Sequence, residues 1–280
     1  MERRAQLTAR VSSLSEFREI ARATRAIAAA HMQEAQAALP SIRQYTEQIE
    51  NAIADAVMLI GDRADGRKGP VVPAHDSVVI AICAEHGLSG AYSSQILDRA
   101  AKLCSDGSAL SVIGRKGRLL AEERAIPVAW CFAMATHAKS VSSLCLSLMD
   151  KVAGYSGVRV VFAEYGGCGR FDVRDRQLAP LDPELLRSRA SARAPFHYLA
   201  PEPLLAKLTL EYVYAELMHA VMESFASENG ARLTIMEGAD QNAEDKLKVL
   251  SRQEKALRQE EVTSELLDIV SGAEAVRSHG

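Results

Sequence analysis

From Leu7 onward, the apolar residues of the first sixty positions step by three and four: Leu7, Val11, Leu14, Ala21, Ala28, Met32, Ala35, Leu39, Ile42, Ile49, Ile53 and Ala56. The series keeps a heptad register, broken by Arg18, Arg25 and Thr46. A sustained period near 3.5 predicts one long helix packed along a narrow seam. Half of residues 21–38 are alanine, which favours helix and lets a neighbouring backbone approach closely. Pro40 has no N–H for the helix, so a kink or the end of a segment is expected there.

The other end of the chain repeats the pattern. Pro203 suits a first-turn position. Leu204, Leu208, Ala215, Met218, Met222 and Phe225 follow at a three–four spacing, and Asn229, Arg232, Met236, Ala239, Ala243, Lys246 and Leu250 carry the register on. Val262, Leu266, Ile269, Ala273 and Val276 are offset by one or two residues, as in a stutter. Gly230 and Gly238 each weaken a helix by roughly 1 kcal/mol and mark candidate bends.

The middle has a different period. Ser77–Ala84 is a continuous apolar run, fit for a buried parallel strand. A helix is predicted over Ala91–Cys104, a strand over Ala109–Ile113 and a short helix ending near Arg124. Further strands are expected at Pro127–Ala133, Val158–Tyr165 and Phe171–Leu178, with a helix over Ser140–Tyr155. Strands alternating with helices imply an α/β layer fold. Gly61–Pro73 reads as a linker, and Ala179–Glu202, with Pro180, Pro183, Pro195 and Pro201, as an irregular return.

Composition changes this picture little. The 280 residues are 48% hydrophobic and 25% charged, ordinary for a globular protein. A net charge of −3 supplies no overall basic field, so no nucleic-acid partner is expected. No apolar run reaches the length of a membrane span. Arg3, Arg4 and Arg10 give the N-terminus a basic cast without the apolar stretch of a cleavable leader. The five cysteines, Cys83, Cys104, Cys131, Cys145 and Cys168, never form C-x-x-C and read as reduced, buried small hydrophobes.

No catalytic constellation emerges. Gly87-Leu-Ser-Gly90 follows a strand and precedes a helix, but Ala91 breaks the nucleophile-elbow pattern G-x-S-x-G. Gly166-Gly-Cys-Gly169 lacks G-x-G-x-x-G and follows a late strand. Gly114-Arg-Lys-Gly117 reads as a tight turn with a solvated basic pair, not a phosphate loop. His86 follows Cys83 by three residues, and no second pair completes a metal site. No cofactor is expected.

One set of residues carries a family resemblance. Ser224-Phe-Ala-Ser-Glu-Asn-Gly-Ala-Arg232 runs on through Met236, Ala239, Asp240, Asn242 and Ala243. Arg258-Gln259, Val262-Thr263, Glu265-Leu266, Ile269 and Ser271-Gly-Ala273 follow. This stretch resembles the C-terminal signature of the gamma subunit of F-type ATP synthases. Ile20–Met32 is similar to that family's N-terminal I-T-K-A-M-x-M-V-A-A-x-K-M. Gly87-Leu-Ser-Gly90 resembles G-L-C-G, and Ile113-Gly-Arg-Lys-Gly117 resembles I-G-x-K-G. The order is the family's, and the match spans essentially the whole chain. Thr24, Ala26, Arg25, His31, Leu233 and Lys255 depart from the usual residues, as in a divergent member serving an alternative F-type ATPase.

The resemblance implies an α/β fold class: a central Rossmann-like α/β domain, 74–200, flanked by helices over 1–60 and 203–278 that form an antiparallel coiled coil. It implies a non-catalytic central-stalk rotor with alpha, beta, epsilon and c-ring partners. The rotor would lie peripherally on the cytoplasmic face of a bacterial inner membrane and touch the membrane through the c ring only. Arg258, Gln259 and Thr263 would face loops of beta, with Glu228, Ile20, Ile27 and Met32 as further interface residues. Gly87, Gly90, Gly114, Lys116 and Gly117 would form turns of the central domain. Two other classes stand beside this one: an enzyme with a Rossmann-like centre, and a coiled-coil adaptor with an α/β sensor domain.

Overall fold

The computed structural model describes residues 2–60, 76–104, 107–182 and 199–278. The Gly61–Pro73 linker, Pro183 and Pro195 lie outside the described residues, as do the side chains of Ala273 and Val276. The elements are α1 (Glu2–Ile60), β1 (Ser77–Ile82), α2 (Tyr92–Leu103), β2 (Ala109–Ile113), α3 (Arg115–Glu123), β3 (Cys131–Phe132), a 3-10 turn at Ala138–Ser140, α4 (Val141–Val152), β4 (Gly157–Gly167), β5 (Arg170–Ala179) and α5 (Pro201–Ser278). The chain divides into two compact units, one of residues 1–26 with 235–280, the other of residues 27–234. Helices α1 and α5 contribute to both.

In the first unit α1 and α5 run antiparallel. Arg4 pairs with Glu261, Thr8 with Glu254 and Arg18 with Asp240, so numbers fall on α5 as they rise on α1. The seam of α1 follows the heptad expectation: Leu7, Val11, Leu14 and Ala21 are buried or half-buried, and so are the polar interruptions Arg18 and Arg25. On α5 the seam passes through Ala243, Leu247, Leu250, Glu254, Leu257 and Glu261, with Leu247 in the place expected for Lys246. Val262, Leu266 and Ile269, 48%, 58% and 68% exposed, lie off it. Described pairing ends at Arg4–Glu261, the first turns of α1 lie beside residues 252–261, and Arg18 already reaches back to Asp240 and Glu244.

The second unit is built on a five-stranded sheet in the order β3-β2-β1-β4-β5, parallel except for the β5 edge. Side chains alternate across it. Val78, Ile80, Ile82, Val158, Val160 and Phe162 face α1, α4 and α5, packing with Leu39, Leu148, Leu217 and Phe225. Val79, Ala81, Val161 and Ala163 face the other layer, with Ile96 and Leu97 of α2 and Ala121 of α3. Residues 212–231 of α5 are buried on almost every side, because this helix is packed by α1 as well as by the sheet.

Helix α1 continues through Pro40. Proline removes one backbone hydrogen bond, but its ring is exposed, and the packing of Ala35, Leu39 and Ile42 holds the neighbouring turns in place. Helix α5 is likewise continuous through Gly230 and Gly238. The cysteines differ from expectation: Cys83 and Cys145 are buried, Cys104 is half-buried, and Cys131 and Cys168 are exposed. Cys131 lies on the short edge strand and Cys168 in the β4–β5 turn, where little can cover them.

Candidate partner-facing surfaces

In the helical unit three arginines converge on one carboxylate. Arg18 Nε donates to Asp240 Oδ1 at 2.7 Å, Arg22 Nε reaches the same oxygen at 3.0 Å, and Arg25 Nη1 lies 3.9 Å from Oδ2. Arg18 also pairs with Glu244, which Lys248 Nζ meets at 3.0 Å. The Arg18 hydrogen bond, joined by Arg22, holds the Asp240 carboxyl below the usual range. Heptad spacing placed Arg18 and Arg25 on the seam, so they and Arg22, one turn away, share the face that meets Asp240. Arg22 remains half-exposed, as does Phe17 at 46%, and Ile20 is 62% exposed. This is a cationic, partly apolar surface on a slender helix pair.

Farther along α5, Arg258 and Gln259 are exposed, and Arg258 makes no ion pair among the described residues. The Thr263 hydroxyl donates back to the Gln259 carbonyl at 2.8 Å. That bond places both residues on one face, one turn apart, as their spacing requires. The apolar side chains of Val262, Leu266, Leu267, Ile269 and Val270 are exposed around them. An uncovered apolar surface of this kind marks a binding region.

In the α/β unit, Ile27 is 57% exposed, whereas Met32 is half-buried and packs at Gly230. Glu228 is 4% exposed, so its carboxylate turns inward. It accepts from Arg232 Nη2 at 2.5 Å and from the backbone N–H of Glu85. Burial pushes its pKa up, opposed by the charge and hydrogen bond of Arg232. Arg232 in turn donates to Asn229 Oδ1 and to the carbonyls of Gly87 and His86. One buried ion pair of α5 thereby holds the turn Gly87–Gly90, in which Gly90 takes a φ of +61°.

The Gly114–Gly117 turn has a packing role. At a φ of +99°, a side chain on Gly114 would overlap the carbonyls of Cys83 and Ala84, and one on Gly117 would overlap Cys83 itself. Lys116 N–H bonds Ala84 O. The start of α3, a helix N-terminus of the kind that can hold an anion, already carries one. Glu85 Oε2 accepts from Arg115 N at 3.1 Å and Met134 N at 2.8 Å, with Arg115 Nε 3.4 Å from Oε1. Doubly wound folds bind dinucleotides in the crevice at the carboxyl ends of their strands. Here α5 lies against that region. Tyr92 donates to Ser224 O, Ala163 N donates to Ser224 Oγ, and Ser227 donates to Ala163 O, at 3.1–3.3 Å.

Other charges lie deeper than their spacing suggested. Arg43 of α1 donates to Glu223 at 2.5 Å and to His219 Nε2 at 3.3 Å, and Arg176 of β5 donates to Glu216 at 2.5 Å. The one available signal was the appearance of Glu216, His219 and Glu223 inside the otherwise apolar run 212–226. Among the described residues no group of three or more His, Cys, Asp or Glu side chains could hold a metal ion.

The sequence matches the family model described as ATP synthase over residues 4–276. It is 26% identical to the ATP synthase gamma chain of Halothermothrix orenii, covering 99% of this chain and all of the relative. It is 29% identical to that of Parafrankia sp., covering 96% of each. Among solved structures it resembles a chain of the Euglena gracilis mitochondrial ATP synthase, with a TM-score of 0.64 and 13% identity over 99% of this chain and 95% of that one. It also resembles one of the Tetrahymena thermophila central stalk and c ring, with a TM-score of 0.55 and 17% identity over 79% and 99%.

Proposed function

Because this chain belongs to the ATP synthase family, with gamma chains as full-length relatives, we propose that it is the central-stalk rotor of an F-type ATP synthase. The observation that carries this reading is the antiparallel pairing of two long helices that arise at opposite ends of one chain, from Arg4–Glu261 to Arg18–Asp240. Such a pair is slender and stiff, as a shaft turning inside a sleeve must be. Residues 1–60 and 203–278 serve as the rotor helices, and 74–200 as the body.

The helical pair inserts into a ring of alternating alpha and beta subunits, while the α/β unit meets epsilon and the c ring. Ion flow turns the c ring and the shaft, and the shaft drives the beta sites through successive conformations. ATP chemistry belongs to beta. This chain is the non-catalytic member, in keeping with a crevice that α5 and Glu85 fill from within. It lies in the peripheral F1 portion, on the cytoplasmic face of a bacterial inner membrane, and reaches the membrane through the c ring. No helix of the described residues is long and apolar enough to cross a bilayer. Arg258, Gln259 and Thr263 meet the beta subunits, with Ile20, Ile27 and Met32 contributing along α1. Glu228 acts through Arg232.

Reconstitution tests this reading. The chain, mixed with its cognate alpha and beta subunits, should elute as one complex, and a probe fixed to it should rotate during ATP hydrolysis. Failure to join the alpha–beta ring would overturn the rotor reading and favour an adaptor.

A further inference from the structure

Two imidazoles meet inside the α/β unit. His31 of α1 and His137, in the loop between β3 and α4, lie with ring centroids 5.3 Å apart and planes at 85°. His137 is exposed, and His31 is half-buried, its ring 5.6 Å from that of Phe225. Among the described residues neither imidazole makes a hydrogen bond or an ion pair. The nitrogens of His31 are not sealed from solvent. His219, by contrast, has its Nε2 engaged by Arg43.

Both histidines stand on backbone that is held firmly. Ala28 and Ala35, one turn to either side of His31, are buried. Met134 and Ala135 are buried just ahead of His137, and Met134 N donates to Glu85. After it, Ser140 N bonds His137 O and Val141 is buried. Ligands carried on fixed backbone lose little freedom when they bind.

The spacing suits a metal ion. A tetrahedral zinc with two histidine nitrogens at about 2.0–2.1 Å sets the ring centroids about 5 Å apart. An aromatic contact alone leaves all the ring nitrogens to water. His137 is exposed, so its ring turns freely enough to aim a nitrogen at the ion. Glu34, one turn on from His31, is exposed without an ion pair among the described residues, and its charge attracts a cation. Lys139 is exposed too, and its long side chain can extend away into water.

We propose that His31 and His137 form a two-histidine site for a divalent transition-metal ion, zinc above all, which staples α1 to the β3–α4 loop. Neutral imidazole is a ligand for zinc, nickel and copper, whereas magnesium takes oxygen ligands. The described residues supply no third protein ligand, so water completes the coordination. His31 is one of the positions at which this chain departs from the usual residues of its family. The proposal does not rest on the rotor reading.

The test is calorimetric titration of the untagged full-length chain with zinc chloride, repeated for H31A, H137A and H86A. His86 is exposed and outside the pair, so H86A is the control. Wild type and H86A should bind zinc with equal affinity. H31A and H137A should each bind at least about 10-fold more weakly. Excess magnesium should not compete. Zinc should also raise the Tm of wild type by at least about 2 °C and leave that of H137A unchanged. The metal-free Tm of H137A should equal that of wild type because its side chain is exposed, so H137A alone decides the matter if H31A folds poorly. Absence of zinc binding in wild type, or wild-type affinity in H137A, overturns the proposal. A loss in H86A as large as that in H137A identifies adventitious surface binding and overturns it as well.

Discussion

Gly230 of α5 and Tyr165 of β4 are so close that a methyl group at position 230 would stand 2.5 Å from Cε2 of the tyrosine ring. The glycine that looked like a weak point of a long helix is a place where that helix comes close against the sheet. Gly230→Ala sets two effects against each other. Alanine gains roughly 1 kcal/mol of helix propensity. The overlap with Tyr165, which is fixed in the packed layer, costs about 1–3 kcal/mol. The overlap should win, and the variant should unfold at lower denaturant concentration. A midpoint above wild type would mean that Tyr165 moves freely aside.

His219 gives the stability a pH dependence. Its ring is nine-tenths buried beside Phe162, and burial, with Arg176 and Arg43 nearby, lowers its pKa to about 4. The unfolded chain takes up that proton near pH 6.5, whereas the folded chain resists it until about pH 4. Stability from this group is therefore full above pH 6.5 and is lost as pH falls toward 4, by at most about 3 kcal/mol. His219→Gln should remove that component. Burial raises the pKa of Glu216 and Glu228, which act in the opposite sense, so the informative quantity is the wild-type minus variant difference. A difference flat between pH 7 and 4 would show that His219 takes up its proton equally in the folded and unfolded chain.

Asp240 is the shared counter-charge of Arg18, Arg22 and Arg25, and Asp240→Asn leaves three cations crowded together. Thermal unfolding of the variant should start at lower temperature than wild type. The deficit should shrink as salt is raised, because screening relieves repulsion between exposed charges. A deficit that salt leaves unchanged would point to lost packing.

Arg258, Gln259 and Thr263 are exposed, so their triple alanine variant should keep the wild-type Tm of the isolated chain. A forked, charge-assisted pair between an arginine and a carboxylate contributes about 1.5–3 kcal/mol when desolvated. Assembly with alpha and beta should therefore weaken by roughly 10- to 100-fold, with a matching fall in rotation-coupled ATP hydrolysis. Normal assembly and coupling would remove these residues from the interface while leaving the rotor reading in place.

Isolated protein should show no heat of binding on titration with ATP or a dinucleotide, because Glu85 occupies the start of α3 and Ser224–Arg232 lie along the strand ends. Micromolar binding would require the internal carboxylate to be displaced.

Much of this architecture was legible in the order of the residues. The seam of α1 could be read because a heptad pattern depends only on spacing, and strand Ala109–Ile113 because Gly107 and Gly114 bound an apolar run. Elements at the margin were less legible. The stretch 127–133 suggested a full strand, yet only Cys131–Phe132 qualifies, since Ala129 and Trp130 bond β2 without regular strand geometry. Val262, Leu266 and Ile269 looked like seam residues because spacing alone does not reveal which turns a partner helix covers. The buried ion pairs were not legible at all. Arg43 and Glu223 lie 180 positions apart, Arg176 and Glu216 lie 40 apart, and no local pattern joins them.

The core of the α/β unit has a consequence for how the chain is made. Its sheet is covered on one face by Leu39 of α1, which leaves the ribosome before the strands, and by Leu217 and Phe225 of α5, which leave after them. During synthesis β1 and β4 can pair while that face stays bare, and it remains so until the C-terminal helix emerges. Any product that stops short of α5 therefore displays a broad apolar sheet. Aggregation or chaperone capture is its expected fate, and termination before α5 should be far more harmful than the loss of a few residues at the far end of that helix.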